Sequence, residues 1–254
     1  MTALASMINL KSDEEIQIMR EAGRVVAQVL EILVAEVRPG LVVKELDRIV
    51  RKEYAKRGVT PTFLGYLGYP ATVCVSVNDE LVHGIPGKRT LQEGDVVSID
   101  LGATYKGYVG DSAVTVGVGK ISAETERLID VTREALWRGI RAARSGVALG
   151  VVSNTIGEYI EGSGFGVVRE YVGHGVGREM HEEPQVPNFG PHDRGPTLRK
   201  GMVIALEPMV TVGDWHTKKH SDGWTVSTRD GSLCAHFEHT IAITDGEAEV
   251  LTLP

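Results

Sequence analysis

The order helix, helix, then strands occurs twice along this chain, and a duplicated order restricts the available folds more than any single element does. Arg38-Pro39-Gly40 recurs as Arg144-Ser145-Gly146, an offset of 144 minus 38, or 106. The same offset brings Leu46 onto Val152, Val50 onto Ile156, Tyr54 onto Ile160 and Gly58 onto Gly164. Further on, Gly94-Asp95-Val96-Val97-Ser98-Ile99-Asp100 matches Gly201-Met202-Val203-Ile204-Ala205-Leu206-Glu207, at 201 minus 94, or 107. Two ordered matches at nearly one spacing point to two similar halves, about 12–118 and 122–250, within a single domain over 1–254. Each half reads as two helices followed by antiparallel strands. The fold class is therefore α+β, with the strands merged into one curved antiparallel sheet and the helices packed on its outer face.

Local signals fill in that frame. Ser12-Asp13-Glu14-Glu15 is a capping box, and Ile16, Met19, Val26, Val29, Leu30 and Leu33 follow at helical spacing until Pro39-Gly40. A second helix is predicted over about 43–56, ending at Gly58. After Pro61 the pattern changes to strands and turns: β-branched 71–77, a loop over 83–87, and a strand over 96–100. Tyr171-Val172-Gly173-His174-Gly175-Val176-Gly177 reads as a shaped loop, because three alternate glycines would break a helix. His174 and His181 lie seven apart, which excludes a helical His-Glu-x-x-His zinc motif.

Composition excludes several classes. With 42% hydrophobic and 24% charged residues the chain reads as globular, and a net charge of -7 argues against a broad nucleic-acid surface, leaving at most a local basic run such as Lys218-Lys219-His220. No apolar run reaches the length of a membrane span, and Met1-Thr2-Ala3-Leu4-Ala5-Ser6 lacks the basic and apolar parts of a signal peptide. A cytoplasmic location is the expectation. Cys74 and Cys234 form neither a zinc pair nor a disulfide framework.

The repeat places carboxylates Asp100 and Glu207 at the same point of each half, each ending an apolar strand, where burial is costly without a partner or a cation. Lys106-Gly107 is a two-residue hairpin turn in prospect. Residues facing each other across it have numbers summing to 213, so Gly102 faces Asp111 and Asp100 faces Ala113. Asp100 and Asp111 then share a face as diagonal neighbours with Cα atoms about 7–8 Å apart. Two metal ions about 3.5–4 Å apart fit such a pair. Residues 233–241 read as one strand, with Cys234, His236 and Glu238 on one face and Ala235, Phe237 and His239 on the other. The candidate ligands are thus Asp100, Asp111, His174, Glu207 and Glu238. This oxygen-rich set suits Mn, Fe(II) or Co(II) and tolerates Zn. Without metal, four such charges repel, so several carboxyls must stay protonated.

At this point the sequence closely resembles the type I methionine aminopeptidases. The motifs are Gly68-Tyr69-Pro70, Val82-His83-Gly84-Ile85-Pro86, Ser98-Ile99-Asp100, Gly110-Asp111, Gly173-His174-Gly175-Val176-Gly177, His181-Glu182-Glu183-Pro184, Ala205-Leu206-Glu207-Pro208, Asp222-Gly223-Trp224 and Glu238-His239-Thr240. They cover nearly the whole chain from about Ser12. The resemblance implies the two-halved, pseudo-symmetric pita-bread fold and a dinuclear centre of divalent metals. In it Asp111 and Glu238 bridge the metals, Asp100 chelates one, and His174 and Glu207 complete the other. It implies hydrolysis of the first peptide bond after an initiator methionine when the second residue is small, through a metal-bridged hydroxide. Glu207 serves as proton shuttle, His181 stabilises the oxyanion, and His83 contacts the scissile amide or passes a proton to the leaving amine. The methionine pocket falls on Phe63, Tyr66, Tyr69, Cys74, His83, Met180, His181 and Trp224.

Three positions depart from the family pattern. Position 180 is commonly aromatic and is Met here, position 63 is often small and is Phe here, and position 236 is familiar as Gln and is His. Bulk exchanged between positions 63 and 180 keeps pocket volume nearly constant while changing its shape. His236 shares a face with Glu238 and is expected to tune the metal shell. No large insertion separates Glu207 from Glu238, which sides with type I, and the segment before Ser12 is short for a docking domain. The resemblance also implies a monomer that acts on nascent chains, with transient ribosome contact, no nucleic-acid readout and no membrane partner. Two other readings stand beside it: an Xaa-Pro aminopeptidase or prolidase, which shares the metal set but usually carries an added N-terminal domain, and a non-catalytic peptide-binding relative, which would be expected to have lost ligands.

Overall fold

The computed structural model describes residues 8–254; the stretch Met1–Ser6 weighed above for targeting lies outside them. Helix α1, Asp13–Glu36, starts at the predicted capping box, where the Ser12 side chain and the Glu15 carboxylate each bond the other's backbone N–H. Helix α2, Lys44–Arg57, stops at Gly58, whose φ of 66° places it in the left-handed cap that glycine adopts without strain. Helix α3, Ala123–Ala142, is capped by Ser122, and helix α4, Leu149–Gly162, follows it.

Corresponding backbone bonds recur around the two helix pairs. Gly40 N–H donates to Leu91 O and Leu91 N–H to Leu41 O; Gly146 N–H donates to Leu198 O and Leu198 N–H to Val147 O. Each second helix is thereby tied to the segment that leads into the following strand.

Among the described residues a nine-stranded sheet carries the molecule, all of its pairings antiparallel, with seven strands on one path and two off it, Cys74–Val77 on Val96–Tyr105 and Glu249–Val250 on Glu238–Ala242. Its path runs Thr60–Pro61, Val96–Tyr105, Tyr108–Gly117, Glu238–Ala242, Val203–Leu206, Gly173–Gly175, Glu182–Val186. One core lies under α1 and α2, where Val26, Leu30, Leu33, Leu46 and Val50 meet Val75, Val97, Ile99 and Leu101. A second lies under α3 and α4, where Leu136, Val152, Ile156 and Ile160 meet Ile204, Leu206 and Ile241. Burying each of these aliphatic side chains contributes about 1.5–3 kcal/mol before conformational entropy is counted. Because strand side chains alternate, burying Ile99, Leu101, Ile204 and Leu206 beneath the helices turns Asp100 and Glu207 to the opposite face.

The hairpin is as the sequence predicts. Val96–Tyr105 pairs with Tyr108–Gly117 so that Gly102 faces Asp111 and Asp100 faces Ala113, about a turn in which Lys106 and Gly107 both have positive φ. The Val96–Asp100 strand, however, continues to Tyr105. The strand expected over 71–77 begins only at Cys74, because the Thr72 N–H and hydroxyl are both taken by Asp47 of α2. The single strand expected over 233–241 is broken at Phe237: Cys234–His236 pairs with Met209–Thr211, whereas Glu238–Ala242 pairs with Tyr108–Gly117 and Val203–Leu206. The expected faces survive the break, since His236 and Glu238 line one cavity while Ala235 and Phe237 enter the α3/α4 core. The glycine-rich stretch is likewise more ordered than a loop. Gly173–Gly175 forms a short strand between Val203–Leu206 and Glu182–Val186.

Candidate active site

A cavity of about 210 Å³ opens on the face of the sheet away from the helices. Asp100, Asp111, His174, Glu207 and Glu238 all line it, each set there by a different strand or strand end. Ligand atoms of Asp111, His174 and Glu238 lie within 4.8 Å of one another. His174 Nε2 stands 3.7 Å from Asp111 Oδ2 and 3.6 Å from Glu207 Oε1. Its Nδ1–H donates to Gly175 O at 2.9 Å, which turns the Nε2 lone pair toward the carboxylates.

Backbone contacts hold the acids in place. Asp111 N–H donates to Thr240 Oγ, which donates back to Asp111 O; the Ser112 hydroxyl donates to Glu238 O; and Asn188 Nδ2 donates to Glu207 O. The glycines flanking His174 are required by close approach. A Cβ at Gly175 would meet the backbone of Glu182 and Glu183 below van der Waals distance, and one at Gly173 would meet Ala205 O.

The electrostatics of the cavity call for cations. Burial first, and then mutual repulsion, push the Asp100, Asp111 and Glu238 carboxyls well above the usual range. Burial lifts Glu207 to about 8. The imidazoles give no counter-charge, because burial lowers His174 to about 3 and His83 to about 4, and lowers His236 as well. Among the described residues no lysine or arginine lines the cavity. Asp100 Oδ1, Asp111 Oδ1 and Glu238 Oε1 are buried with no hydrogen-bond partner. Four acids, a neutral imidazole with its lone pair presented and three orphaned carboxyl oxygens form a donor set that fits divalent cations.

The rest of the wall is apolar and aromatic. Phe63, Tyr66, Tyr69, Cys74, His83, Met180, His181 and Trp224 are all brought to it, as expected from the sequence. Tyr69 stacks edge-on against Phe63 at 6.5 Å and against Trp224 at 5.1 Å, and its hydroxyl is anchored on Val73 O and Gly84 O. His83 has a φ of 60°, rare for a residue with a Cβ, and stands edge-on to Tyr171 and Trp224. At the mouth, His181 Nδ1 is 2.7 Å from the Tyr66 hydroxyl and its ring centre is 4.3 Å from that of His174.

Leu67, Val82, Tyr171, Val172 and Met209 also line the cavity and were not foreseen. For Tyr171 and Val172 the available signal was their place directly before the Gly-His-Gly run, and for Val82 its place in the motif directly before His83; Leu67 and Met209 carried none.

Comparison with known proteins agrees with this geometry. A model of metallopeptidase family M24 matches residues 17–245. Methionine aminopeptidase 1 of Bacillus subtilis (strain 168) is 52% identical over 246 residues, covering 97% of this chain and 99% of that protein. The methionine aminopeptidase of Clostridium acetobutylicum is 50% identical over 248 residues, covering 97% of this chain and 99% of its own length. Among solved structures, methionine aminopeptidase from Thermotoga maritima superposes with a TM-score of 0.96 at 48% identity, covering 98% of this chain and 100% of that one. Prolidase from Pyrococcus furiosus superposes at 0.78 with 25% identity, covering 96% of this chain and 65% of its own.

Proposed function

Because the chain belongs to metallopeptidase family M24, within the methionine aminopeptidases, we propose that it removes the N-terminal methionine from nascent proteins and peptides whose second residue is small. The observation that carries this reading is the union of two unlike walls in one cavity, buried acids with His174 on one side and an uncharged aromatic and sulfur-bearing lining on the other. A methionine side chain fits an adaptable apolar wall of this kind.

Asp100, Asp111, His174, Glu207 and Glu238 would hold two divalent cations in this reading. The chemistry supplied by cations held there would be polarisation of a carbonyl and a lowered pKa for a water. Glu207 takes the proton of the attacking water and carries it toward the leaving amine. His181, steadied by the Tyr66 hydroxyl at Nδ1, presents Nε2 to the carbonyl oxygen as negative charge develops. His83, fixed between Tyr171 and Trp224, faces the scissile amide. Phe63, Tyr66, Tyr69, Cys74, Met180 and Trp224 enclose the methionine side chain and keep water from it.

We read the chain as one catalytic domain of two related halves, about 12–118 and 122–250, working as a cytoplasmic monomer with transient ribosome contact, with Mn, Co, Fe(II) or Zn as the metals. Among the described residues no helix is long and apolar enough to cross a membrane. The test is release of free methionine from Met-Gly-Met and Met-Leu-Met by metal-stripped protein to which each of these metals is restored in turn. Metal-dependent release favouring the glycine peptide is expected. Release confined to Met-Pro peptides would move the assignment to the prolidase-like branch, and tight peptide binding without release under any metal would make the chain a binding protein.

A further inference from the structure

His236 is among the most buried polar side chains of the molecule, 1% exposed, and it lines the same cavity as the acids. Its backbone is held from both sides by one hydroxyl. Thr115 Oγ accepts the His236 N–H at 2.9 Å and donates to His236 O at 2.6 Å, and Ser98 Oγ lies 2.8 Å from that Thr115 hydroxyl. The ring is thus presented from a fixed point. Yet Nε2 has no hydrogen-bond partner, and leaving a buried polar atom unpaired costs about 1–3 kcal/mol. An alanine or a small apolar residue would avoid that cost.

The Glu207 carboxyl supplies the explanation. His236 Nε2 is 3.5 Å from Glu207 Oε2, while the other oxygen of the same carboxyl, Oε1, is 3.6 Å from His174 Nε2. Glu207 therefore lies between two imidazoles, one facing each oxygen. His174 presents a lone pair, since its Nδ1 carries the proton donated to Gly175 O. A cation held by His174 and Glu207 through Oε1 would leave Oε2 facing His236.

We propose that His236 is a positioning residue: when cations are bound, its Nε2–H closes the 3.5 Å gap and donates to Oε2 of Glu207, and so reserves Oε1 for the cation that His174 faces. A carboxylate with both oxygens free can chelate with either or both. One held at its outer oxygen coordinates through the inner one in a fixed orientation, and such outer partners commonly tune cation affinity by about 10- to 100-fold. The assignment rests on the reading that this cavity holds divalent cations.

Two substitutions separate hydrogen-bond donation from space filling. H236Q retains an N–H at similar reach, and H236L fills similar volume without one; H236M replaces H236L if the latter does not fold, judged by metal-free thermal melting. The readouts are calorimetric titration with Mn(II) and Co(II), and the visible spectrum of the Co(II)-loaded protein. We expect H236L to weaken the cation facing His174 and Glu207 by about 10-fold or more and to alter the intensity of the Co(II) bands, with H236Q within about threefold of the parent and its spectrum retained. Unchanged affinity and spectrum in a folded H236L would overturn the proposal, and so would H236Q falling as far as H236L. Methionine release is scored separately. A parent protein that binds cations with this pattern but releases no methionine refutes the proposed activity and leaves the role of His236 standing, whereas a parent that binds no cation refutes the role itself.

Discussion

Replacing Lys11 by methionine tests how the wall bearing Met180 and His181 is held. Lys11 Nζ lies 2.6 Å from Glu182 Oε2, and the two side chains are only 5% and 8% exposed. The other oxygen, Oε1, accepts the N–H of Arg178 at 2.9 Å and of Glu179 at 3.3 Å, so this carboxylate closes the turn that leads into Met180 and His181. Lys11 is itself anchored through its N–H to Gly201 O. Methionine keeps the length of the stem and removes the charge. Breaking a buried pair at one end costs about 3–5 kcal/mol because the other charge is stranded, and the two remaining peptide donors reduce this to about 2–4 kcal/mol. For a chain of this size that corresponds to a loss on the order of 5–15 °C in melting temperature. Urea unfolding of metal-free K11M, E182L and the double variant gives the coupling directly. With both charges gone, the double variant is expected within about 1–2 kcal/mol of the parent, because an apolar pair replaces an ion pair at little net cost. Its KM for Met-Gly-Met is nevertheless expected to stay raised, since the turn has lost its acceptor. A cost below about 1 kcal/mol for K11M, or a double variant as unstable as the sum of the singles, would show that the pair does not hold this wall.

Three further outcomes follow from the site. Glu207 has a folded pKa of about 8 against an ordinary 4.5, so the folded protein binds the extra proton; metal-free stability should be full below about pH 4.5 and fall as pH rises through about 8, while saturating Mn(II) offsets the decline, and a melting profile flat in pH without metal would contradict this. Gly175→Ala puts a Cβ within 2.9 Å of Glu182 O and closer still to Glu183 O, so it should cost about 1–3 kcal/mol and weaken cation binding as His174 shifts; a variant whose Mn(II) titration matches the parent would show that the strand pair yields freely. Tyr66→Phe removes the hydroxyl from His181 Nδ1 and should lower kcat about 2- to 10-fold at nearly constant KM, an expectation that a change in KM alone would defeat.

Two levels of information separate cleanly in this chain. Whatever follows from local period and turn chemistry was legible in the sequence. The Ser12–Glu15 capping box starts α1, Gly58 ends α2, and the Lys106-Gly107 turn sets the register that brings Asp100 and Asp111 to one face. The motif pattern also led to the family and the fold, because residue types at fixed spacings survive without knowledge of contacts. Three features were decided only in the folded chain: the break at Phe237 of the strand expected over 233–241, the bond from Thr72 to Asp47 that delays a strand to Cys74, and the entry of Leu67 and Met209 into the cavity wall. The opposed imidazoles on Glu207 belong with them, since His174 lies in one strand, Glu207 just past the end of a second and His236 at the end of a third. Periodicity tells which face of a strand a side chain takes. Distance, burial and charge depend on which other strands arrive at that face, and only tertiary packing brings them together.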